Sequence, residues 1–253
     1  MKNFKIDTHA FNPIETHILK STGDKYHIGL LCLADIDTVE AFHNHIADTL
    51  VTSEKSFFLS KPRSFFEQHL SPHNDSAVIG AVMNGNLIAQ AIIHHPSKEN
   101  PKTGMVDMKP IAPPEKVTVF QGIGVAPVCR GNAVTEKLTS VWLKYARGVG
   151  REHALAEIEV RNIASWNSLL KGGLDIVSLG RDPSDGAVLY NAHATVESAL
   201  AKSLTVTFNK DAGGRRHIAH YQNLDKQKRL LENGYKCVSY NKQKQSMVFH
   251  FTA

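Results

Sequence analysis

The 253-residue sequence is poor in cysteine, and the three it has, Cys32, Cys129 and Cys237, lie far apart with no paired spacing. That argues against a disulfide framework and a zinc site, and it fits a reducing cytosol. No apolar run approaches the roughly 20 residues that a membrane-spanning helix needs. The opening residues, MKNFKIDTHAFNPIETH, lack the apolar stretch of a signal peptide. A cytoplasmic chain with no membrane partner is the expectation. There is no GK[ST] phosphate loop, no internal repeat and no Gly/Ser linker. Charge of either sign is only slightly in excess, at net +5. That is too mild to declare nucleic-acid binding, and no base-stacking motif is present, so no nucleic acid is expected as partner. The same mild excess suits a polyanionic cofactor.

What is present is an ordinary globular composition, 42% hydrophobic and 21% charged. Residues 1 to 24 read as an N-terminal extension with a short helix. His27 to Ala34 reads as a buried strand. Asp37 to Glu40 has the form of a capping box, with Val39, Phe42, Ile46 and Leu50 marking the helical face that follows. Pro62 starts a second helix that buries Phe65, Phe66 and Leu70. Ser76 to Met83 and Leu87 to His94 form a hairpin about Asn84-Gly85. Residues 96 to 116 form a long, proline-rich loop.

The most informative stretch is Val117 to Gly150. A β-rich run ends at Val125-Ala126-Pro127, an Arg-Gly turn follows, and a helix opens from it. Val134, Leu138, Val141, Trp142, Tyr145, Ala146 and Val149 recur at helical spacing. Strand, tight turn and helix N-terminus together make an anion site, because the first helical N–H groups lack partners and the dipole favours negative charge. Arg130 could pair with a phosphate. Gly122-Ile123-Gly124 imitates a dinucleotide fingerprint, but its third glycine is missing.

Later elements are a strand from Ala154 to Val160, a short helix from Asn162 to Gly172-Gly173, and a strand from Leu174 to Arg181. Ala187 to Thr195 allows a returning strand or a helix running to Lys202. Beyond it, Leu204 to Phe208 reads as strand, Asp211 to Arg216 as a basic loop and Gln222 to Glu232 as helix. Tyr235 to Tyr240 and Ser246 to Phe251 read as an antiparallel pair. His43 and His45 diverge on a helix, His217 and His220 could share a helix face without other support, and no metal site is expected. His94 and His95 read as surface histidines.

Val125, Pro127, Arg130 and Gly131 match a signature, roughly V-x-P-x-x-R-G-x-G-x-G. The stretch resembles the acyl-CoA-binding motif of the GCN5-related N-acetyltransferases (GNAT). Ala133 and Thr135 stand where that family has glycine or a small residue. The element order over residues 25 to 195 is also similar to the family's. Asn162, Ser165, Lys171 and Gly173 fall in register with a second family pattern, in which Leu169 replaces a tyrosine and Leu174 a phenylalanine.

The resemblance implies an α/β fold with a mixed, mostly antiparallel central sheet, flanking helices and a C-terminal strand-helix-strand elaboration. Residues 1–24 are then an extension, 25–195 the acyl-CoA-binding domain, and 196–253 an elaboration packed on it. It implies acetyl transfer from acetyl-CoA, as acyl donor, to an amine on a small molecule or peptide. The alternative is an acyl-CoA-binding or regulatory protein with little turnover. By resemblance, Ile123, Gly124 and Val125 line the pantetheine arm. Arg130, Gly131, Asn132, Ala133, Val134 and Thr135 hold the pyrophosphate. Asn162, Ser165 and Trp166 flank the pantetheine or adenine. The amine needs a base, because an alkyl ammonium has a pKa of about 10.4. The resemblance implies a Glu, a His or a water chain; Gln121 cannot serve, and Glu157 and Glu159 on the next strand are either candidates for that base or solvated edge residues. Tyr190 is the substitute for the missing acid, or else a buried structural tyrosine. Exposed C-terminal strands make a homodimer compatible with the sequence.

Overall fold

The computed structural model describes residues 3–71, 76–101, 103, 105, 108–204 and 215–251. The alternating apolar runs form eleven strands: β1 Pro13–Ile18, β2 Lys25–Leu31, β3 Ser76–Met83, β4 Asn86–His94, β5 Val117–Val125, β6 His153–Glu159, β7 Asp175–Arg181, β8 Val188–Thr195, β9 Arg216–His220, β10 Tyr235–Asn241 and β11 Ser246–Phe251. Six helices accompany them: α1 Ile36–Thr49, α2 Arg63–Leu70, α3 Val134–Gly148, α4 Ile163–Lys171, α5 Val196–Leu204 and α6 Leu224–Glu232. All strands join one sheet in the order β1-β2-β3-β4-β5-β6-β8-β7-β10-β11-β9. Every pairing is antiparallel except β5 with β6.

That one parallel pair is short. It runs only from Val117 opposite His153 to Phe120 opposite Ala156. Beyond it, β5 continues to Val125 and β6 to Glu159 with no register between them. The cause lies on the other side of β5. Ile92 of β4 pairs with Gly122 while Ile93 pairs with Phe120, so Gln121 is an extra residue. Such a bulge bends the strand that carries it.

The hairpin turn forms as expected, with Asn84 and Gly85 both at positive φ, 51° and 71°. Helix α3 buries Val134, Leu138, Val141, Trp142 and Ala146 as its spacing predicts. The Trp142 Nε1–H donates to Thr118 Oγ1 at 2.7 Å, both groups being fully buried. Trp142 also packs on Phe120, at 4.9 Å between ring centroids. This face of β5 is therefore fixed to α3 directly below the point where the strands part.

Several expectations are corrected. Residues 13–18 form the edge strand β1 rather than a helix, paired with β2. Helix α1 begins at Ile36, and Asp35, not Asp37, closes its approach by accepting the Cys32 N–H at 3.0 Å. Val149 lies past the end of α3 and is exposed. Residues 187–202 are both of the alternatives in turn, strand β8 and then helix α5. His217 and His220 lie on strand β9, not on a helix, so their odd spacing sends them to opposite faces. The strand expected over 204–208 lies outside the described residues, apart from Leu204, which ends α5. Most of the basic loop, residues 211–214, also lies outside them. His94 and His95 are buried rather than on the surface.

Trp142→Phe puts a smaller ring in place of the indole and removes its Nε1–H donor to the Thr118 hydroxyl. It is expected to cost about 1–3 kcal/mol, the penalty for an unpaired buried polar group, measured by denaturant unfolding.

Candidate active site

The parted strands open a slot whose two walls differ. Alternation puts Ala154, Ala156 and Ile158 of β6 in the main core, under α3 and α4, and Leu155 in a separate cluster with Val117 and Val119. Glu157 and Glu159 share the Leu155 face. Glu159 is engaged there: it forms an ion pair with Arg161 and accepts from Ser56 Oγ at 3.1 Å. Glu157 is half-buried and stands one turn of the pleat nearer the parting point.

The bulge reverses the facing of β5 beyond Gln121. Gly124 now turns towards α1, where an added Cβ would stand 3.2 Å from Ile46; a Cβ on Gly122 would meet only open space. The two glycines are thus not a nucleotide fingerprint. They leave room above a strand. Gln121 itself is held by His69 of α2, Nε2 to Oε1 at 2.8 Å, while His69 Nδ1–H donates to the Phe65 carbonyl at 2.7 Å. Burial lowers the His69 pKa, so the ring is neutral. With Nδ1 protonated, Nε2 is an acceptor, and the Gln121 amide must present its NH2 to it.

Above Gly122, Ile123 and Gly124 is a small cavity, closed by His43, Phe58, Gln90 and Ile92. Its free volume of about 10 Å³ is room for a single water. Gln90 is 1% exposed, and neither its Nε2 nor its Oε1 has a hydrogen-bond partner among the described residues. His43 is 3% exposed. Its Nε2–H donates to the Leu59 carbonyl at 3.0 Å, which fixes the tautomer and leaves a lone pair on Nδ1. That Nδ1 also has no partner among the described residues. Burial lowers the His43 pKa from its ordinary 6.5, with Lys61 adding to the effect against the Leu59 bond. Sequence reasoning treated His43 only as a failed metal ligand. No local signal reveals a lone pair whose direction is set by residue 59 and whose surroundings come from residue 90.

At the other end of the slot, Pro127–Cys129 makes one 3₁₀ turn and α3 begins at Val134. Gly131 and Ala133 sit at φ 77° and 60°. The left-handed region is free to glycine, but costs alanine about 1 kcal/mol. The result is a run of backbone N–H groups, Gly131 to Glu136, without an acceptor among the described residues. Arg130 is exposed beside them, its Nε–H donating to the Val125 carbonyl at 3.2 Å. The Asn132 side chain is not available to a ligand. It is buried, accepts the Ser21 N–H at 2.8 Å and donates to the Cys129 and Arg130 carbonyls. It fastens the N-terminal segment to the loop.

The remaining expected site residues divide. Asn162 caps α4, its Oδ1 accepting the Ser165 N–H at 3.1 Å. Both are half-buried near the end of β6. Trp166 is not at the slot: it is fully buried, donates to the Val160 carbonyl at 3.0 Å and packs between Tyr190 and Tyr240. Tyr190 is likewise a core residue. Its hydroxyl donates to Gln227 of α6 at 2.5 Å, and burial raises its pKa far above the ordinary value. A phenol locked in that way does not reach the slot. The hydroxyl holds the C-terminal helix to β8. Leu169, at the family's tyrosine position, is buried on α4.

No family model matches this sequence, and no curated protein matches it. Solved structures do. The GNAT domain of S. lividans PAT superposes with a TM-score of 0.53 at 16% identity, over 76% of this chain and 99% of that one. An N-acetyltransferase from Staphylococcus aureus Mu50 gives 0.51 at 15% identity, over 68% and 98%. The yncA protein of Salmonella typhimurium, solved with its cofactor acetyl-CoA, gives 0.51 at 15%, over 68% and 94%. The chain has the GNAT fold. At these identities the likeness is one of architecture. The bulged β5, α3 and the parted β6 follow one another in the order expected from the sequence. Among the described residues no helix is long and apolar enough to cross a membrane.

Tyr190→Phe tests the assignment of that residue to the core. Unfolding free energy is expected to drop by about 1–2 kcal/mol as Gln227 loses its donor, with affinity for acetyl-CoA unchanged by calorimetry.

Proposed function

We propose that the chain transfers an acetyl group from acetyl-CoA to an amine by direct attack in a ternary complex. The observation that carries this reading is the opening between β5 and β6, with unbonded amides at one end and a polar, unpartnered cavity at the other. The residues fit the donor. Backbone amides of Gly131, Asn132, Ala133, Val134 and Thr135, with Arg130, would hold its pyrophosphate. Ile123, Gly124 and Val125 would line the pantetheine arm, with Asn162 and Ser165 at its far side. Acetyl-CoA supplies an activated carbonyl and a thiolate leaving group, which needs little help from an acid because a thiol is already fairly acidic. That accommodates Leu169 and a remote Tyr190.

The chain's own task is then to bring in a neutral amine. Glu157, on the α1-side face of β6, would attract the ammonium form. His43 Nδ1 would take its proton, directly or through a water held by Gln90, because the Leu59 bond leaves the lone pair on Nδ1 and the ring lines the same small cavity as Gly122, Ile123 and Gly124. A base must be unprotonated to act. The lowered His43 pKa keeps it so throughout the neutral range. The acid limb of the rate therefore lies below pH 6.5, the ordinary value. The N-terminal extension and residues 196–253 would serve as additions to one acyl-CoA-binding domain spanning 25–195.

The first test is acetyl-CoA binding by calorimetry. The intact chain is expected to bind, and Arg130→Glu to weaken binding at least tenfold. No binding by the folded, intact chain would overturn the reading. Thiol release with a panel of small amines and peptides then separates transfer from mere acyl-CoA binding. For His43→Ala and His43→Asn, kcat is expected to fall about 10²–10⁴-fold with the KM for acetyl-CoA unchanged. An Asn variant of undiminished rate would remove His43 as the base, since asparagine can hydrogen-bond there but cannot take a proton.

A further inference from the structure

The C-terminal elements carry a cavity of their own, three or more strands along the sheet from β6. Its volume is about 520 Å³, in the range of small-molecule sites. It lies between α6 and the end of the sheet, and its walls are cationic and aromatic. Spacing explains the first. Positions 226, 229, 230 and 233 share one face of α6, which turns Lys226 and Arg229 into the cavity. Lys228 is left outside, 3.8 Å from Glu232, and Gln227 and Leu231 anchor the helix in the core. From the sheet come Arg215 and His217. Phe251 and Tyr235 supply rings 5.3 Å apart at a steep angle, and His217 stands edge-on to Tyr235 at 4.9 Å.

The charges are unbalanced. Among the described residues no carboxylate lines the cavity. Arg215, Lys226 and Arg229 have no ion-pair partner among the described residues, although Asp225 and Glu232 lie on the same helix. Arg229 Nε–H makes only a long bond to the Asp225 carbonyl, at 3.4 Å. Lysines elsewhere are neutralised: Lys116 by Glu152, Lys144 by Glu15 and Lys202 by Asp175. Three cations about one cavity repel one another, and an anion reverses the sign of each interaction. Two guanidinium groups favour a phosphate, whose oxygens match their fork, over a point-charge partner. Phe251, 42% exposed, offers a ring face beside them.

We propose that this cavity binds a small phosphorylated ligand bearing a flat ring, of the nucleoside monophosphate class. The phosphate sits on Arg215, Lys226 and Arg229, and the ring lies against Phe251. The site is separate from the opening at β5 and does not depend on the transferase reading.

The probe is AMP, titrated calorimetrically into the intact chain, Lys226→Glu/Arg229→Glu, Phe251→Ala and Arg130→Glu, with circular dichroism confirming that each is folded. Arg229 is exposed and Lys226 half-buried, and the helix is anchored by Gln227 and Leu231 instead, so that double variant is expected to fold. AMP is expected to bind the intact chain and Arg130→Glu alike, and to weaken at least tenfold in the double variant and with rising salt. Phe251→Ala is expected to weaken AMP but not inorganic phosphate, and adenosine is expected not to bind. The proposal is overturned by a folded intact chain that ignores AMP, by binding that survives the double charge reversal, or by binding that disappears with Arg130→Glu. An RNA oligomer that outcompetes AMP would also overturn it, in favour of a polymer.

Discussion

One extra residue in one strand sets the geometry of the whole centre. Gln121 interrupts the pairing of β5 with β4. Below it, Thr118 and Phe120 are fixed to Trp142 of α3. Above it, the strand bends, turns Gly122 and Gly124 towards α1, and leaves β6. The bulge is itself held by His69, so α2 stabilises a feature of the sheet it packs on. Without the shift of one residue, glycine and isoleucine would exchange faces along this stretch. Ile123 would then fill the space over which His43 and Gln90 now look.

Much of this frame could be read from the sequence because its signals are local. The Asn84-Gly85 turn requires two positive φ values, which few other dipeptides accept. The stripe on α3 repeats through four turns and cannot be placed on a strand. Edge strand β1 was missed because its burial alternates only faintly and its apolar residues, Ile14 and Ile18, face solvent. The candidate site is readable at its proposed anion-holding end, where Arg130-Gly131 and the helix start are contiguous. It is not readable where it depends on pairs distant in sequence. Nothing in the loop announces that Ser21 will claim the Asn132 side-chain oxygen and leave its backbone N–H as the group open to a ligand. Tyr190 and Trp166 have residue types that suit a site, yet long-range contacts with Gln227 and Tyr240 put both in the core.

The C-terminal elements are tied to the rest of the sheet more firmly through side chains than through strand pairing. Strand β10 meets β7 at one register position, Cys237 opposite Ile176. The Tyr190–Gln227 bond and the edge-to-face contact of Trp166 with Tyr240 span the same boundary from within. Gln227 spends its amide N–H groups on the His220 and Tyr221 carbonyls as well. A single glutamine thus fixes α6 against β8 and the end of β9, and with it the cationic face of that helix.

An eleven-stranded open sheet has two rims, and an unpaired strand edge is a template for other chains. Here each rim is unattractive to a newcomer. On β1, Pro13 has no N–H to offer, and Glu15 is hydrogen-bonded to His17 at 2.8 Å. On β9, only five residues long, Arg216, His217 and His220 flank the exposed Ile218. A strand laid on that rim would have to dry out an arginine and two imidazoles to cover one isoleucine. The same residue types that make the C-terminal end cationic therefore also keep a wide sheet from growing into a fibre.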